Sequence, residues 1–187
     1  MVERRAWCSC MVIDYLVGAE RSRMACEQLI DRAKAGEIEI VVSALALAEV
    51  AKINGDAQAE HTIQEFFRRP YVIVAQLDWL VAEEARKMLR AVPKLKAGDA
   101  THLATAVRWK IPVLETWDTD DLVPLDGKFG SPTVTVRTPV PEGQARLPKT
   151  DAESDAPEPI AQVVPPPPVE SAAGAPQPQE SSSDPSQ

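Results

Sequence analysis

The sequence contains few cysteines and no long apolar run, and each absence excludes a class of protein. The three cysteines, Cys8, Cys10 and Cys26, are an odd number without Cys-x-x-Cys spacing, which argues against a disulfide framework and against a structural zinc site. No segment approaches the length of a membrane-spanning helix, and the first residues lack the apolar core of a secretory signal. We therefore expect a soluble protein of a reducing compartment, the cytoplasm.

Positive charge is scarce only in the C-terminal part of the chain. Residues 138–187 carry 8 acidic and 2 basic residues, whereas residues 1–137 carry 20 acidic and 18 basic residues. The net charge of −8 for the whole chain therefore becomes −2 for the first 137 residues. A body that is nearly neutral gives no argument against an anionic partner such as a nucleic acid.

Proline is concentrated in the same C-terminal part. Twelve of the 17 prolines lie beyond residue 138, among Ser, Gln, Glu and Ala residues. A segment of this composition cannot bury enough apolar area to offset the entropy of ordering. We expect a folded domain at residues 1–137 and a disordered tail, partly polyproline II, at residues 138–187. We interpret the tail as a solubilising segment; the alternative is a Pro-rich ligand for a partner.

The folded part alternates between strand-like and helix-like segments. This alternation predicts a parallel α/β sheet with helices on both faces. Apolar and β-branched runs predict strands at residues 6–13, 38–42, 71–74, 111–114 and 133–136. Helical spacing of apolar residues predicts helices at residues 20–35 and 44–53, then one ending near residue 69, one at 77–91 and one that begins near residue 99.

The stretch of residues 96–118 contains much of the candidate chemistry. Asp99 is predicted at or beside the N-cap of a helix, where a carboxylate accepts backbone N–H groups. The run at 111–114 predicts a strand buried on both faces, and Thr116-Trp117-Asp118 follows its carboxyl end. Ligands bind at that edge of open α/β sheets. The stretch therefore offers two carboxylates that the fold could bring together.

A third carboxylate, Glu49, lies within an Ala/Leu-rich helix. An ionised carboxylate that is buried there needs a cationic partner, and hard divalent ions take carboxylate oxygens. Glu49, Asp99 and Asp118 could hold Mg²⁺ or Mn²⁺, which activates water and clamps a phosphate. Asp99 could instead cap a helix and Glu49 could face solvent. Asp118, Asp120 and Asp121 could be ordinary loop acids.

Four segments of the chain form a recognisable series. They read Trp-Cys-Ser-Cys-Met-Val-Ile-Asp-Tyr-Leu at 7–16, Val-Ser-Ala-Leu-Ala-Leu-Ala-Glu-Val at 42–50, Asp-Ala-Thr-His-Leu-Ala-Thr-Ala at 99–106 and Thr-Trp-Asp at 116–118. In this order they resemble the signatures of the PIN-domain family over residues 4–137. The resemblance implies a three-layer α/β/α sandwich around a mainly parallel sheet of about five strands.

The resemblance also implies an activity and partners. Typical PIN domains cleave RNA with Mg²⁺ or Mn²⁺, and many small members are VapC-like toxins of toxin–antitoxin pairs that are often dimeric. It therefore implies an RNA substrate, a protein antitoxin and a homodimer. By position, Glu49, Asp99 and Asp118 match three of the metal-binding acids of the family, so these are the predicted metal ligands and catalytic residues.

The first acid of the family is the point of departure. Aligning residues 12–16 with the apolar run of the family places Cys8 where the first Asp belongs, and Asp14 is then a more variable acid. The rival register makes Asp14 the first metal acid but puts Tyr15 and Leu16 where small polar residues are expected. We favour the register with Cys8. A thiol is a poor ligand for Mg²⁺ and prefers softer ions such as Zn²⁺.

Other residues could support such a site. Ser9, His102, Thr116 and Asp121 could orient the ligands or a water molecule, although a packed core histidine and hydroxyls bonded to backbone are the ordinary alternatives. A basic row could contact phosphates in a sequence-independent, salt-sensitive way; it contains Arg86, Arg90, Lys94 and Lys96. A solvated helix face paired with nearby glutamates is the alternative for this row.

Two functional hypotheses follow. The first is a metal-dependent endoribonuclease of the PIN type. The second is a PIN-fold module that has lost catalysis and binds RNA or a protein partner, which the cysteine at position 8 favours. A third interpretation makes the Pro-rich tail the working part of the chain.

Overall fold

The computed structural model describes residues 2–52 and 57–141 of the chain. Apart from residues 138–141, the predicted C-terminal tail lies outside the described residues. None of the helices in the described part is both long and apolar enough to cross a membrane.

Thirteen elements follow one another in the described residues. The strands are β1 (Glu3–Trp7), β2 (Ile38–Ser43), β3 (Val72–Ala75), β4 (Val113–Glu115) and β5 (Thr135–Arg137). The α-helices are α1 (Ser9–Val17), α2 (Glu20–Lys34), α3 (Ala44–Glu49), α4 (Ala57–Phe67), α5 (Trp79–Ala91) and α6 (Ala97–Arg108). Short 3₁₀ turns cover Val50–Lys52 and Val123–Leu125.

The five strands form one parallel sheet in the order β3-β2-β1-β4-β5. The first two crossovers run in one direction along the sheet, and the third, through α5 and α6, returns past β2 and β1 to β4. Because such crossovers are right-handed, this reversal puts α1, α2 and α4 on one face and α5 and α6 on the other. The reversal also makes the junction between β1 and β4 the topological switch point, where open α/β sheets bind ligands.

Each face of the sheet is covered by apolar side chains. On the first face Trp7, which is 1% exposed, stacks on Phe66 of α4 with ring centroids 6.3 Å apart, and its edge meets Tyr15 of α1. Pairs of this kind contribute about 0.5–1.5 kcal/mol beyond their buried area. On the other face Leu103 and Ala104 of α6 are fully buried. The three-layer sandwich expected from the sequence is therefore confirmed.

The first strand lies earlier than the sequence predicts. It covers residues 3–7 rather than 6–13, and Met11, Val12 and Ile13 belong to α1. Met11 and Val12 are completely buried, so they are apolar because of packing rather than because of strand pairing. A short apolar run has no period that separates a strand from a buried helical turn.

The last long helix also begins earlier than expected. Lys96 is its N-cap, Gly98 lies inside its first turn, and Asp99 is in that turn rather than at the cap. Asp99 is still close to the N-terminus of α6, where the helix dipole and the first backbone N–H groups favour a carboxylate.

A buried ion cluster joins three neighbouring strands. Glu115 of β4 is 1% exposed and accepts hydrogen bonds from Arg5 Nη1 of β1 at 2.8 Å and from Arg137 Nη2 of β5 at 2.9 Å. Two guanidinium groups thus neutralise one carboxylate in the interior. Since removing one partner from such a group leaves an uncompensated buried charge, the cluster fixes the alignment of these strands.

Candidate metal centre

Three aspartates meet at the carboxyl edge of the sheet. Asp99 of α6 and Asp118 and Asp121 from the loop after β4 each offer one oxygen within 4.8 Å of the others. All three side chains are half-buried. These three residues, up to 22 positions apart in the sequence, therefore converge beside the switch point, on its β4 side.

Asp118 is held in place by the backbone of its own loop. Its Oδ1 accepts the backbone N–H groups of Asp121 at 2.8 Å and Asp120 at 3.1 Å. Its own N–H donates to Thr116 Oγ1 at 3.0 Å. Such a turn is a common use of Asp, and here it fixes the direction of a carboxylate that faces two others.

Negative charge in the cluster is only partly compensated. Burial and the neighbouring Asp118 carboxylate raise the pKa of Asp99 above its ordinary value. Lys96 donates to Asp121 Oδ2 at 2.6 Å, and its side chain is 73% exposed. The three carboxylates would therefore be stabilised by a further cation.

Glu49 lies beside this cluster but is not one of the three close acids. His102 Nε2 bonds to Glu49 Oε2 at 2.9 Å, which ties the end of α3 to α6. Glu49 Oε1 lies close to the backbone of α6, since a Cβ added at Gly98 would be 2.8 Å from it. Gly98 therefore leaves room for the Glu49 carboxylate next to Asp99.

His102 has the environment of an orienting residue. It is 2% exposed, and within the described residues nothing bonds its buried Nδ1. The tautomer with hydrogen on Nε2 donates to Glu49 and avoids burying an N–H group without a partner. His102 is buried on α6 and therefore holds Oε2 of Glu49 in a fixed position.

The donor set suits a hard divalent ion. Carboxylate oxygens are ligands that suit Mg²⁺ and Mn²⁺ in proteins. Burial first, and then the neighbouring Asp118 carboxylate, raise the pKa of Asp99, and a bound divalent ion would favour its ionised form. Asp99, Asp118 and Asp121 would hold such an ion, with Glu49 adjacent.

The other side of the switch point carries thiols instead of acids. Cys8 follows β1 directly and is buried, and its Sγ lies 3.2 Å from Thr116 Oγ1 of the β4 loop. Cys10, in the first turn of α1, has its Sγ 2.7 Å from that of Cys8 and 3.5 Å from Thr116 Oγ1. The N–H of Trp117 donates to Cys10 Sγ at 3.4 Å. Thr116 therefore links the thiols to the N–H of Asp118.

The two thiols have opposite acidities. The hydrogen bond from Cys8, with further bonds from Thr116 and the Trp117 N–H, lowers the pKa of Cys10 to about 6 against the opposing effect of burial. Burial, together with the neighbouring Cys10 sulfur, raises the pKa of Cys8 well above its ordinary value. Cys10 is therefore the more acidic of the two thiols.

The remaining candidates lie around or away from the centre. Ser9 is half-buried at the start of α1, and Asp120 is exposed beside the cluster. Asp14 lines a cavity of about 220 Å³ with Arg23, Cys26 and Glu27, between α1 and α2. Asp14 is therefore not one of the clustered acids in this structure.

The basic row divides into two parts. Lys96 reaches the acid cluster, as described, whereas Arg86 pairs with Glu83 at 3.6 Å on the exposed face of α5. Arg90 and Lys94 are exposed between them. The ordinary interpretation, a solvated and paired helix face, thus fits Arg86 better than it fits Lys96.

Sequence reasoning missed Cys10 and Glu115. Cys10 stands two residues after the cysteine that occupies the place of an acid, and this spacing was the available signal. Glu115 gave no signal because its arginine partners are 110 and 22 residues away along the chain.

Comparison with known proteins agrees with this architecture. Solved structures with the same fold include VapC20 of Mycobacterium tuberculosis, described as a sarcin-ricin loop cleaving toxin, at 15% identity and a TM-score of 0.52 over 62% of this chain and 91% of that one. A toxin–antitoxin complex from Klebsiella pneumoniae matches at 22% identity and 0.53 over 73% and 98%. VapBC2 of Rickettsia felis, bound to a promoter DNA fragment, matches at 15% and 0.54 over 72% and 98%.

No curated protein sequence matches the chain at a significant level. The family model of the PIN domain, however, matches residues 9–125, which is more than half of the chain. That span contains all four clustered or adjacent acids, the switch-point loop and the helices that carry them. The chain therefore belongs to the PIN-domain family.

Proposed function

We propose that the protein is a metal-dependent endoribonuclease that hydrolyses RNA phosphodiester bonds. The observation that carries the proposal is the meeting of Asp99, Asp118 and Asp121 within 4.8 Å at the switch point of the sheet. Membership of the PIN-domain family supports the choice of chemistry. The clustered acids are only half-buried, so a phosphate can reach them.

Each residue has a distinct role in this proposal. Asp99, Asp118 and Asp121 hold Mg²⁺ or Mn²⁺, and Glu49 is directed toward the same centre by His102. When bound, the ion neutralises charge on the scissile phosphate and makes a water molecule more acidic. Asp118 stays in position because two backbone N–H groups bind its Oδ1. Thr116 orients the loop through the N–H of Asp118.

The substrate class rests on two supports. One relative with the same fold, VapC20, is described as a toxin that cleaves the sarcin-ricin loop. In this chain Arg90, Lys94 and Lys96 are exposed in the segment that precedes Asp99 in the sequence, and Lys96 contacts Asp121 of the cluster. Contacts from such side chains to phosphates would weaken with salt and carry no sequence information. An RNA substrate also implies a cytoplasmic protein.

The direct test is cleavage of a labelled RNA by purified protein with Mn²⁺ or Mg²⁺ and with EDTA. We expect cleavage with the ion, none with EDTA, and none for Asp99→Asn. Asp120→Asn is the matched control, because Asp120 is an exposed acid of the same loop that lies outside the cluster. Equal loss of cleavage in both variants, or cleavage that persists in EDTA, contradicts the proposal.

Cys8 supports a second candidate function, a module that binds RNA or a protein without cleaving RNA. The thiol stands at the end of β1, where the family resemblance places an acid, and it is bonded to Thr116 rather than directed at the aspartates. This candidate is supported when the wild type binds RNA without cleaving it and cleavage appears only in Cys8→Asp. Cleavage by wild type excludes it.

The partners that we propose are a protein antitoxin and a second copy of the chain. Two relatives with the same fold were solved as toxin–antitoxin assemblies. We expect growth arrest when the chain is expressed alone and relief when it is expressed with the product of the adjoining reading frame. The molar mass of the purified chain in solution, measured by light scattering, tests for the homodimer.

A further inference from the structure

Cys8 and Cys10 are the strongest pair of reactive side chains that the proposed hydrolysis does not use. Their Sγ atoms are 2.7 Å apart, and both cysteines are free. We propose that this pair is a site of reversible oxidation, at which a peroxide converts the two thiols to an intrachain disulfide. The site goes beyond the proposed nuclease function and does not depend on it.

The geometry leaves little movement to be made. A disulfide bond is about 2.05 Å long, so the sulfur atoms must approach by only a fraction of an ångström. Cys8 is the N-cap of α1 and Cys10 is in its first turn, with only Ser9 between them. The third thiol, Cys26, is buried on α2 and lies against Asp14 in another cavity.

The surroundings distinguish the sulfur that reacts first from the one that completes the bond. Cys10 is partly exposed, and the N–H of Trp117 and the hydroxyl of Thr116 are within hydrogen-bond distance of its Sγ. These donors stabilise a thiolate, the form of cysteine that attacks peroxides. Cys8 is 2% exposed, and burial disfavours ionisation of its thiol. Cys10 is therefore the attacking residue and Cys8 the resolving one.

The reaction proceeds in two balanced steps. The Cys10 thiolate attacks one oxygen of hydrogen peroxide, the O–O bond breaks, and the departing hydroxide takes up the proton that Cys10 had released. The Cys8 sulfur then attacks the Cys10 sulfenic acid, the S–O bond breaks, and hydroxide leaves with the Cys8 proton as water. The two thiols lose two electrons and two protons, and the peroxide becomes two water molecules.

The disulfide is expected to be easily reduced. It would close a loop with a single residue between the cysteines, so it removes little entropy from the unfolded chain. Strained or accessible disulfides are the labile ones, in contrast with the structural disulfides of secreted proteins. Reduction by a dithiol should therefore restore both cysteines.

The test counts thiols and requires no nuclease activity, so its outcome is independent of the proposed hydrolysis. Purified full-length protein is treated with hydrogen peroxide, unfolded, alkylated with iodoacetamide and digested for mass spectrometry. We expect the peptide with Cys8 and Cys10 to lose the mass of two hydrogen atoms and to take no label. Cys26 should stay fully labelled, and dithiothreitol should restore labelling of all three.

Two variants complete the test. In Cys8→Ser the resolving thiol is absent, so Cys10 should gain oxygen atoms as sulfinic acid instead of forming a bond. In Cys26→Ser the Cys8–Cys10 disulfide should form as in wild type. The proposal is overturned when peroxide leaves both cysteines open to alkylation, when wild-type Cys10 gains oxygen like the variant, or when the disulfide joins two chains.

Discussion

Glu115 and Asp118 lie three residues apart at the end of one strand, yet they belong to opposite kinds of charged group. Glu115 is 1% exposed and is neutralised by Arg5 and Arg137 within 2.8–3.1 Å. Asp118 is half-buried and faces Asp99 and Asp121, and its Oδ1 accepts two backbone N–H groups.

The difference separates a structural carboxylate from a functional one. Two arginines neutralise the charge of Glu115 within the fold. Any substitution of Glu115 is therefore expected to lower stability. In the aspartate cluster, burial and the neighbouring Asp118 carboxylate both raise the pKa of Asp99. Groups of like charge held close together mark a candidate functional site.

The largest effect on stability is expected from Glu115→Gln. The amide keeps the volume but leaves two guanidinium groups without a buried counter-charge, so the free energy of unfolding should fall by about 3–5 kcal/mol. Urea unfolding measures the loss. Glu39→Gln is the control: Glu39 pairs with Arg4 at 2.9 Å on the surface, where a pair contributes about 0–1 kcal/mol. Similar losses in both variants would remove the distinction between the two groups.

Asp118→Asn is the corresponding acid-to-amide substitution, three residues later, in the aspartate cluster. The amide oxygen can still accept the two backbone N–H groups, so the free energy of unfolding should change by less than about 0.5 kcal/mol. RNA cleavage should fall at least about 100-fold, or ~2.7 kcal/mol in the activation barrier, because a ligand charge is lost. A variant that cleaves normally would show that Asp118 is as structural as Glu115.

His102→Leu tests whether Glu49 belongs to the functional group. The substitution removes the donor to Glu49 Oε2, and loss of such a partner lowers metal affinity by about 10–100-fold. Isothermal titration with Mn²⁺ measures the affinity. His61→Leu is the control, since His61 is exposed and pairs only with Glu65 at 3.4 Å. Unchanged Mn²⁺ affinity in His102→Leu would assign His102 to the core alone.

Gly98→Ala should move activity and stability in opposite directions. The new Cβ would lie 2.8 Å from Glu49 Oε1, so the flexible carboxylate must shift away from the centre. Cleavage should fall several-fold, while alanine in a helix adds up to ~1 kcal/mol of stability. Thermal unfolding and the cleavage assay on the same preparation give the two numbers. A loss of both RNA cleavage and thermal stability would indicate damage to α6 instead.

The smallest effect is the pH dependence of Asp99→Asn. Because the pKa of Asp99 is raised in the folded protein, its ionised form destabilises the metal-free wild type above that pKa, and protonation relieves the strain as the pH falls. The Asn variant should therefore unfold at a slightly higher temperature than wild type at pH 7. The difference should vanish at acidic pH, where Asp99 is protonated. Calorimetry in EDTA at several pH values measures it.

Much of the fold could be predicted from sequence because each signal was local. Gly36 follows the apolar period of α2, and Ser43 caps α3 by accepting the N–H of Leu45. β2 and β3 are β-branched runs between such markers. The misplaced first strand had no such marker between Trp7 and Met11, because the chain passes directly from strand to helix at Cys8.

The site was only partly predictable, for a related reason. Asp99 and Asp118 stand beside element ends, and a parallel sheet gathers such ends at one edge. Asp121 joins them through a turn whose shape depends on two backbone bonds to Asp118, which the sequence does not reveal. The pairing of Cys10 with Cys8 and Thr116 likewise depends on β1 and β4 being neighbours.

The ion cluster around Glu115 has a consequence for the outermost strand of the sheet. β5 is three residues long, and within the described residues it pairs with β4 alone. The N–H of Val136, in the middle of β5, donates to Asp126 Oδ1 at 2.8 Å instead of to β4. Arg137 places a tethered cation at this margin, and a short charged strand is a poor template for intermolecular pairing. This edge of the sheet is therefore short, charged and bonded at its central N–H group, three features that disfavour pairing with another chain.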